Sequence, residues 1–160
     1  MIGRREFIKT GLAGSVLLTG VGRVAAAADE EGVMLTAVAT SVLAGMLPDD
    51  PAARRRALLD TVSGVRQTVS GLSAQSQKEI AELFSLLCFP LSRRFVAGLA
   101  PSWNSASEAE VTAFLEAWRR SRFMLFQGAY AALHDLVFGA WYARPEHWEA
   151  IDYPGPPEVF

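Results

Sequence analysis

"FMLFQGAYAALHDLVFGAWY", residues 123–142, decides the class of fold. Twenty residues, apolar on nearly every side, are long enough for a helix to cross a bilayer. Gln127, His134 and Asp135 lie near the middle of the run. One central Asp alone costs about 2.5–3.5 kcal/mol on insertion scales. Such a helix is better placed inside a bundle, wrapped by other helices that cover it on all sides.

Working outward, the preceding residues support the same class. Val33–Leu47 reads as an apolar helix stopped by Pro48. Asp49 or Asp50 can cap a second helix with Pro51 at its first position, running to about Ser70. Leu58, Val62, Val65 and Val69 recur at helical spacing and form its buried stripe. Gly71 breaks the chain, and Ser73 or Ser76 opens a third helix, where Ser76 with Glu79 fits a capping box. Its inward face is read as Ile80, Leu83, Phe84, Leu87 and Leu91, with a kink or break at Pro90. Ser107 and Glu110 form another capping box. From there one long fourth helix is expected over Glu108 to about Ala143, with Leu125 on its apolar face and Gly128 as a point of bending.

The expectation is thus all-α: a bundle of about four to five helices over residues 29–144. Residues 145–160 follow as an extended tail, since "RPEHWEAIDYPGPPEVF" carries four prolines. Within it "PEHWEAI" allows one short helical turn, and Tyr153-Pro154-Gly155-Pro156 suits a type II turn.

The front of the chain is different. Arg4, Arg5 and Lys9 form a basic start, and Thr10–Val21 is apolar but diluted by Gly11, Gly14 and Gly20. Ala25, Ala27 and Ala28 offer small residues at the spacing a signal peptidase reads, just before Asp29-Glu30-Glu31. Residues 1–28 therefore read as a signal peptide, and Arg4, Arg5, Phe7 and Lys9 match a twin-arginine signal. Two fixed guanidiniums suit an acidic receptor surface because each presents a planar fork of donors. That route carries folded proteins, which places the mature chain in the periplasm. An ordinary secretory signal with two chance arginines is the simpler alternative. Removing residues 1–28 leaves 11 basic and 16 acidic residues, a charge that argues against nucleic acid as a partner.

Chemistry is sparse. Cys88 is the single cysteine, and His134 and His147 are the two histidines, so a zinc-finger framework and an internal disulfide are excluded. No phosphate loop, nucleophile elbow or dinucleotide fingerprint is present. His134 and Asp135 are adjacent on a helix and point about 100° apart, so they are not expected to pair, and His134 reads as a buried histidine. Cys88 reads as a small core hydrophobe. The run Arg54–Arg56 reads as a solvated face. Trp141, Tyr142, Trp148 and Tyr153, beside Pro154 and Gly155, either bury against a partner or fold back to cap the bundle's own core.

Three stretches together carry a family resemblance: "RREFIKTG" at residues 4–11, "SWNSASEAEVTAFLEAWRRSR" at 102–122 and "YARPEHWEAIDYPGPP" at 142–157. With them the chain resembles the gluconate 2-dehydrogenase subunit 3 family, small exported helical proteins that accompany a flavin-dependent oxidoreductase of the glucose–methanol–choline class. The resemblance implies a non-catalytic accessory subunit with no cofactor of its own. FAD would sit in the large subunit, haem c in a possible cytochrome c subunit, and the twin-arginine translocase would carry the assembly on this chain's signal. The alternatives are a free-standing exported bundle that holds an apolar ligand in a pocket lined by the last helix, and an enzyme using His134 or His147 as a base.

Overall fold

The computed structural model describes residues 21–148, 154 and 155, with side chains described from residue 29 onward. Among the described residues the chain is all-helical: α1 Val21–Val42, α2 Pro51–Ser70, α3 Ala74–Cys88, α4 Pro90–Phe95, α5 Glu108–Arg119 and α6 Met124–Tyr142, then a single 3-10 turn at Pro145–His147. No strand is present among them. The expected fold class holds, with more and shorter helices than the periodicity suggested.

The bundle is organised about α1, which packs against α2, α3, α5 and α6. Its inward residues Met34, Leu35, Val38 and Ala39, and Leu43 just past its end, are all sealed from water. Thr36 and Thr40 sit on the same helix without an orphaned hydroxyl, since each donates to the carbonyl four residues back, at 2.8 Å. Leu58, Val62 and Val65 of α2, Phe84 and Leu87 of α3, Val111, Phe114, Leu115 and Trp118 of α5, and Leu133, Leu136, Val137, Ala140 and Trp141 of α6 complete one core.

The helix ends follow local chemistry. Asp50 caps α2, its carboxylate accepting from the Ala53 amide at 2.7 Å, with Pro51 in the first turn. Ser73, not Ser76, caps α3, and the expected Ser76–Glu79 box does not form. The Ser107–Glu110 capping box on α5 is complete in both directions.

Two boundaries differ from expectation, and at a third, Pro90, the expected kink or break is a break. First, α1 begins at Val21, well before Val33, and stops at Val42, because residues 43–46 tighten into turns in which the Met46 amide donates to the Leu43 carbonyl. Second, at that break Phe89 is held in an extended conformation, and α4 starts at Pro90 as a separate helix. Third, the expected long helix from Glu108 is two helices. Ser121 is the reason. Its hydroxyl accepts from the Phe123 amide at 3.1 Å and its carbonyl accepts from the Gln127 side chain at 2.6 Å, so local bonds replace the helical ladder. The reversal lets Trp118 of α5 stack on Phe126 of α6, with centroids 5.3 Å apart, an arrangement one straight helix would forbid. Beyond this break α6 runs unbroken through Gly128.

Small residues meet where α2 crosses α6. A Cβ on Gly64 would lie 3.0 Å from the Cβ of Ala140, so the pair of small residues sets the separation of these two helices. Gly64→Val forces them apart. We expect a loss of about 1–3 kcal/mol, read as a lower urea midpoint at unchanged slope. An unchanged midpoint would show that this crossing does not set the packing.

Candidate docking surface

The tail aromatics are largely spent inside the chain. Trp141 is 4 % exposed and belongs to the core. His147 lies flat on its indole, with ring centres 3.6 Å apart and planes 5° from parallel, and the His147 Nδ1 meets the Trp141 carbonyl at 2.7 Å. The Trp148 indole N–H donates to the Tyr142 carbonyl at 2.8 Å. Tyr142 is half-buried, its hydroxyl 3.6 Å from the Met46 sulfur. Gly155 has the positive φ, 96°, that the third position of a type II turn requires, and a Cβ there would approach the Trp148 ring to 3.2 Å. Pro154 is exposed. Tyr153 lies outside the described residues, as do Arg4, Arg5, Phe7 and Lys9. Ala25, Ala27 and Ala28 fall within α1, upstream of the described side chains. Of the two readings of the tail, folding back over the bundle accounts for the contacts of Trp141 and Trp148.

The exposed apolar surface lies elsewhere. On and beside α4, Phe95 is 76 % exposed, Leu91 60 % and Phe89 57 %, and Val96 adjoins them. The one charged side chain of α4 that points inward is Arg93, only 7 % exposed. The helix is therefore partly inside out: one of its two guanidiniums, that of Arg93, is buried, while Leu91 and Phe95 face water. Leu91, assigned from periodicity to the buried face of α3, is here because Pro90 broke that helix and reset the phase. A second apolar group, Phe123, Met124 and Leu125, is exposed at the corner between α5 and α6. Leu125 was expected on the inward face of a continuous helix, and the break at Ser121 turns it out. The Arg122 guanidinium sits 4.9 Å above the Phe123 ring.

Arg93 is held by Glu30 of α1, with Nη1 3.6 Å from the carboxylate. Its Nε is buried without a hydrogen-bond partner among the described residues, as is the Trp118 indole N–H. Glu31 pairs with Arg66 of α2 at 3.1 Å. Cys88 lies close to this charged cluster. Burial pushes its thiol up to about 11, Glu30 and Glu31 push in the same direction, and Arg93 opposes them weakly. Cys88 is half-buried against the core rather than sealed within it, and a thiol shifted in this direction stays protonated at neutral pH.

The remaining candidate groups stay apart. His134 is half-buried rather than buried, and it approaches its neighbour Asp135 at 3.5 Å, a long contact that the 100° argument did not anticipate. It belongs to an aromatic ladder along α6 formed by Tyr130, His134, Phe138 and Tyr142. The arginine run at the start of α2 is largely solvated, with Arg54 reaching Glu108 at 3.8 Å. No group of three or more metal-binding side chains occurs among the described residues. No described helix is long and apolar enough to cross a membrane. A groove of about 640 Å³ runs between α1, α2 and the loop carrying Trp103 and Asn104, and a smaller one of about 230 Å³ lies between α2 and α3; neither is lined by α6. No family model, curated protein or solved structure matches this chain.

Cys88 offers a direct check. In the folded chain its alkylation at neutral pH should be slow and should accelerate with pH up to about 11, whereas the denatured chain should react at the rate of a free thiol. Equal rates in the two states would show that the thiol is not buried against the acidic cluster.

Proposed function

We propose that this chain is a non-catalytic small accessory subunit of a periplasmic FAD-dependent sugar, alcohol or gluconate dehydrogenase. It escorts the folded flavoprotein through the twin-arginine pathway and stabilises it. The flavoprotein carries FAD and performs the oxidation, and a cytochrome c subunit receives the electrons. This chain contributes the address and the grip.

The observation that carries the reading is the inverted face of α4. Phe89, Leu91 and Phe95 stand in water while Arg93 is buried beneath them. Leaving two phenylalanines and a leucine in water forgoes roughly 1.5–3 kcal/mol for each side chain, a loss recovered when a partner covers them. Exposed aromatics grouped on one short helix are the pattern of an interface anchor. A standard-size interface buries about 1,200–2,000 Å² in total, so the surface beside α4 would contribute only part of the contact. The "RREFIKTG" start is consistent with a carrier of folded cargo. The free-standing binder reading called for a pocket along the last helix, and the two grooves lie on other helices.

Two experiments test this proposal. Arg4→Lys with Arg5→Lys should hold both this chain and the flavoprotein in the cytoplasm; a flavoprotein that still reaches the periplasm would end the escort reading. Leu91→Ser with Phe95→Ser should cut recovery of a flavin-bearing partner on the tagged chain by about tenfold or more while leaving the helical content unchanged. Undiminished recovery would remove α4 from the interface.

A further inference from the structure

The proposed export signal ends inside a structural element. α1 runs without interruption from Val21 to Val42, so the bond between Ala28 and Asp29 lies within a helix. The residues just after that bond are tied to two other helices. Glu30 meets the buried Arg93 of α4 at 3.6 Å. Glu31 meets Arg66 of α2 at 3.1 Å. Arg66 also lies across the α1 backbone, its Nη2 only 3.2 Å from where a Cβ on Gly32 would stand. Two turns further on, Met34, Leu35 and Val38 are sealed in the core.

We propose that the folded bundle shields its own processing site, so that the exported chain keeps residues 1–28. The inference rests on reading those residues as an export signal. A signal peptidase hydrolyses one amide: water adds across Ala28–Asp29, leaving a carboxylate on Ala28 and an amine on Asp29. To bind, a peptidase takes its substrate extended, with alternate side chains in pockets. A helix offers neither the extended backbone nor free amide groups. Cleavage of the folded chain therefore requires local opening of α1 through at least Glu31, and its rate follows the population of that opened state.

The burial of Arg93 makes opening unfavourable. An exposed ion pair would contribute little, and the Glu31–Arg66 pair is of that kind. Arg93 is different, because it is 7 % exposed and its Nε has no partner among the described residues. Pulling Glu30 away strands a buried guanidinium without its carboxylate, the costly way to break such a pair. The position of Glu30, two residues beyond the scissile bond, makes unwinding for cleavage and breaking this pair the same event.

The test uses purified full-length chain and a purified bacterial signal peptidase in detergent, with the loss of residues 1–28 followed by mass spectrometry. Three forms are compared: the native sequence, Glu30→Gln with Arg66→Ala, and Val38→Asp, which unfolds the chain by placing a charge in the core. Circular dichroism establishes which forms are folded. The unfolded form should be cut after Ala28, the native form at least about tenfold more slowly, and the folded double variant at an intermediate rate. Equal rates for native and unfolded chain would overturn the shielding while leaving the signal intact. No cleavage of any form, including the unfolded one, would overturn the processing site itself and the proposal with it. Should the double variant prove unfolded, the ratio of native to Val38→Asp rates still decides the question.

Discussion

The burial of one face of α1 is the constraint on which the rest of the structure depends. Met34, Leu35 and Val38 of α1 and Leu43 just past its end have 0–2 % of their surface exposed, and α1 packs against α2, α3, α5 and α6 and pairs with α4 through Glu30. Each fully buried aliphatic side chain contributes about 1.5–3 kcal/mol, comparable to a large share of the net stability of a domain this size. Remove α1 and the inner faces of α2, α3, α5 and α6 lose their common partner. The helix at the centre of the core is thus also the helix in which the proposed export signal ends. An unfolded bundle cannot hold that helix in place, which ties the state of the fold to the state of the front of the chain.

Around this axle two features look like faults if the chain is judged as a free-standing monomer. One is α4, whose six residues bury an arginine and expose two aromatic neighbours at its ends and a leucine between them. The other is the Phe123–Leu125 corner. Both arise at chain breaks that local chemistry enforces, Pro90 in one case and the Ser121 hydroxyl and carbonyl in the other. Those breaks reset the helical phase and turn apolar residues outward. A protein that works alone would gain by replacing them with polar residues, whereas one that grips a companion needs them. The tail does the opposite work: Trp141, His147 and Trp148 close the end of the bundle.

Much of the fold was legible in the amino-acid order. The stripe Leu58, Val62 and Val65, the Asp50–Pro51 start and the Ser107–Glu110 box all stand where periodicity and capping rules put them. What escaped was phase. Periodicity kept Leu91 on the inward face of the third helix even with a kink or break expected at Pro90, and carried the fourth helix through Ser121, because Leu91 and Leu125 fitted the running pattern. The break at Pro90 was itself expected, without the change of phase that follows it. The break in the fourth helix needed knowledge of Ser121's bonds to Phe123 and Gln127, which only the folded backbone supplies. The inverted face of α4 was invisible for the same reason, since an arginine among phenylalanines reads as the solvated residue until Glu30, more than sixty positions earlier, is brought beside it. The packing of Cys88 against the core was anticipated from its company, and the charged cluster beside it was not.

The most direct measurement of the central claim is native-state hydrogen exchange resolved along α1. If this helix is the axle, the amides of residues 34–43 exchange only through global unfolding, with the same denaturant dependence as the best-protected amides of α2 and α6. Exchange of residues 34–43 through a smaller opening, while α2 and α6 stay protected, would contradict the account: the other helices would then form a core without α1, and the front of the chain would be independent of the fold.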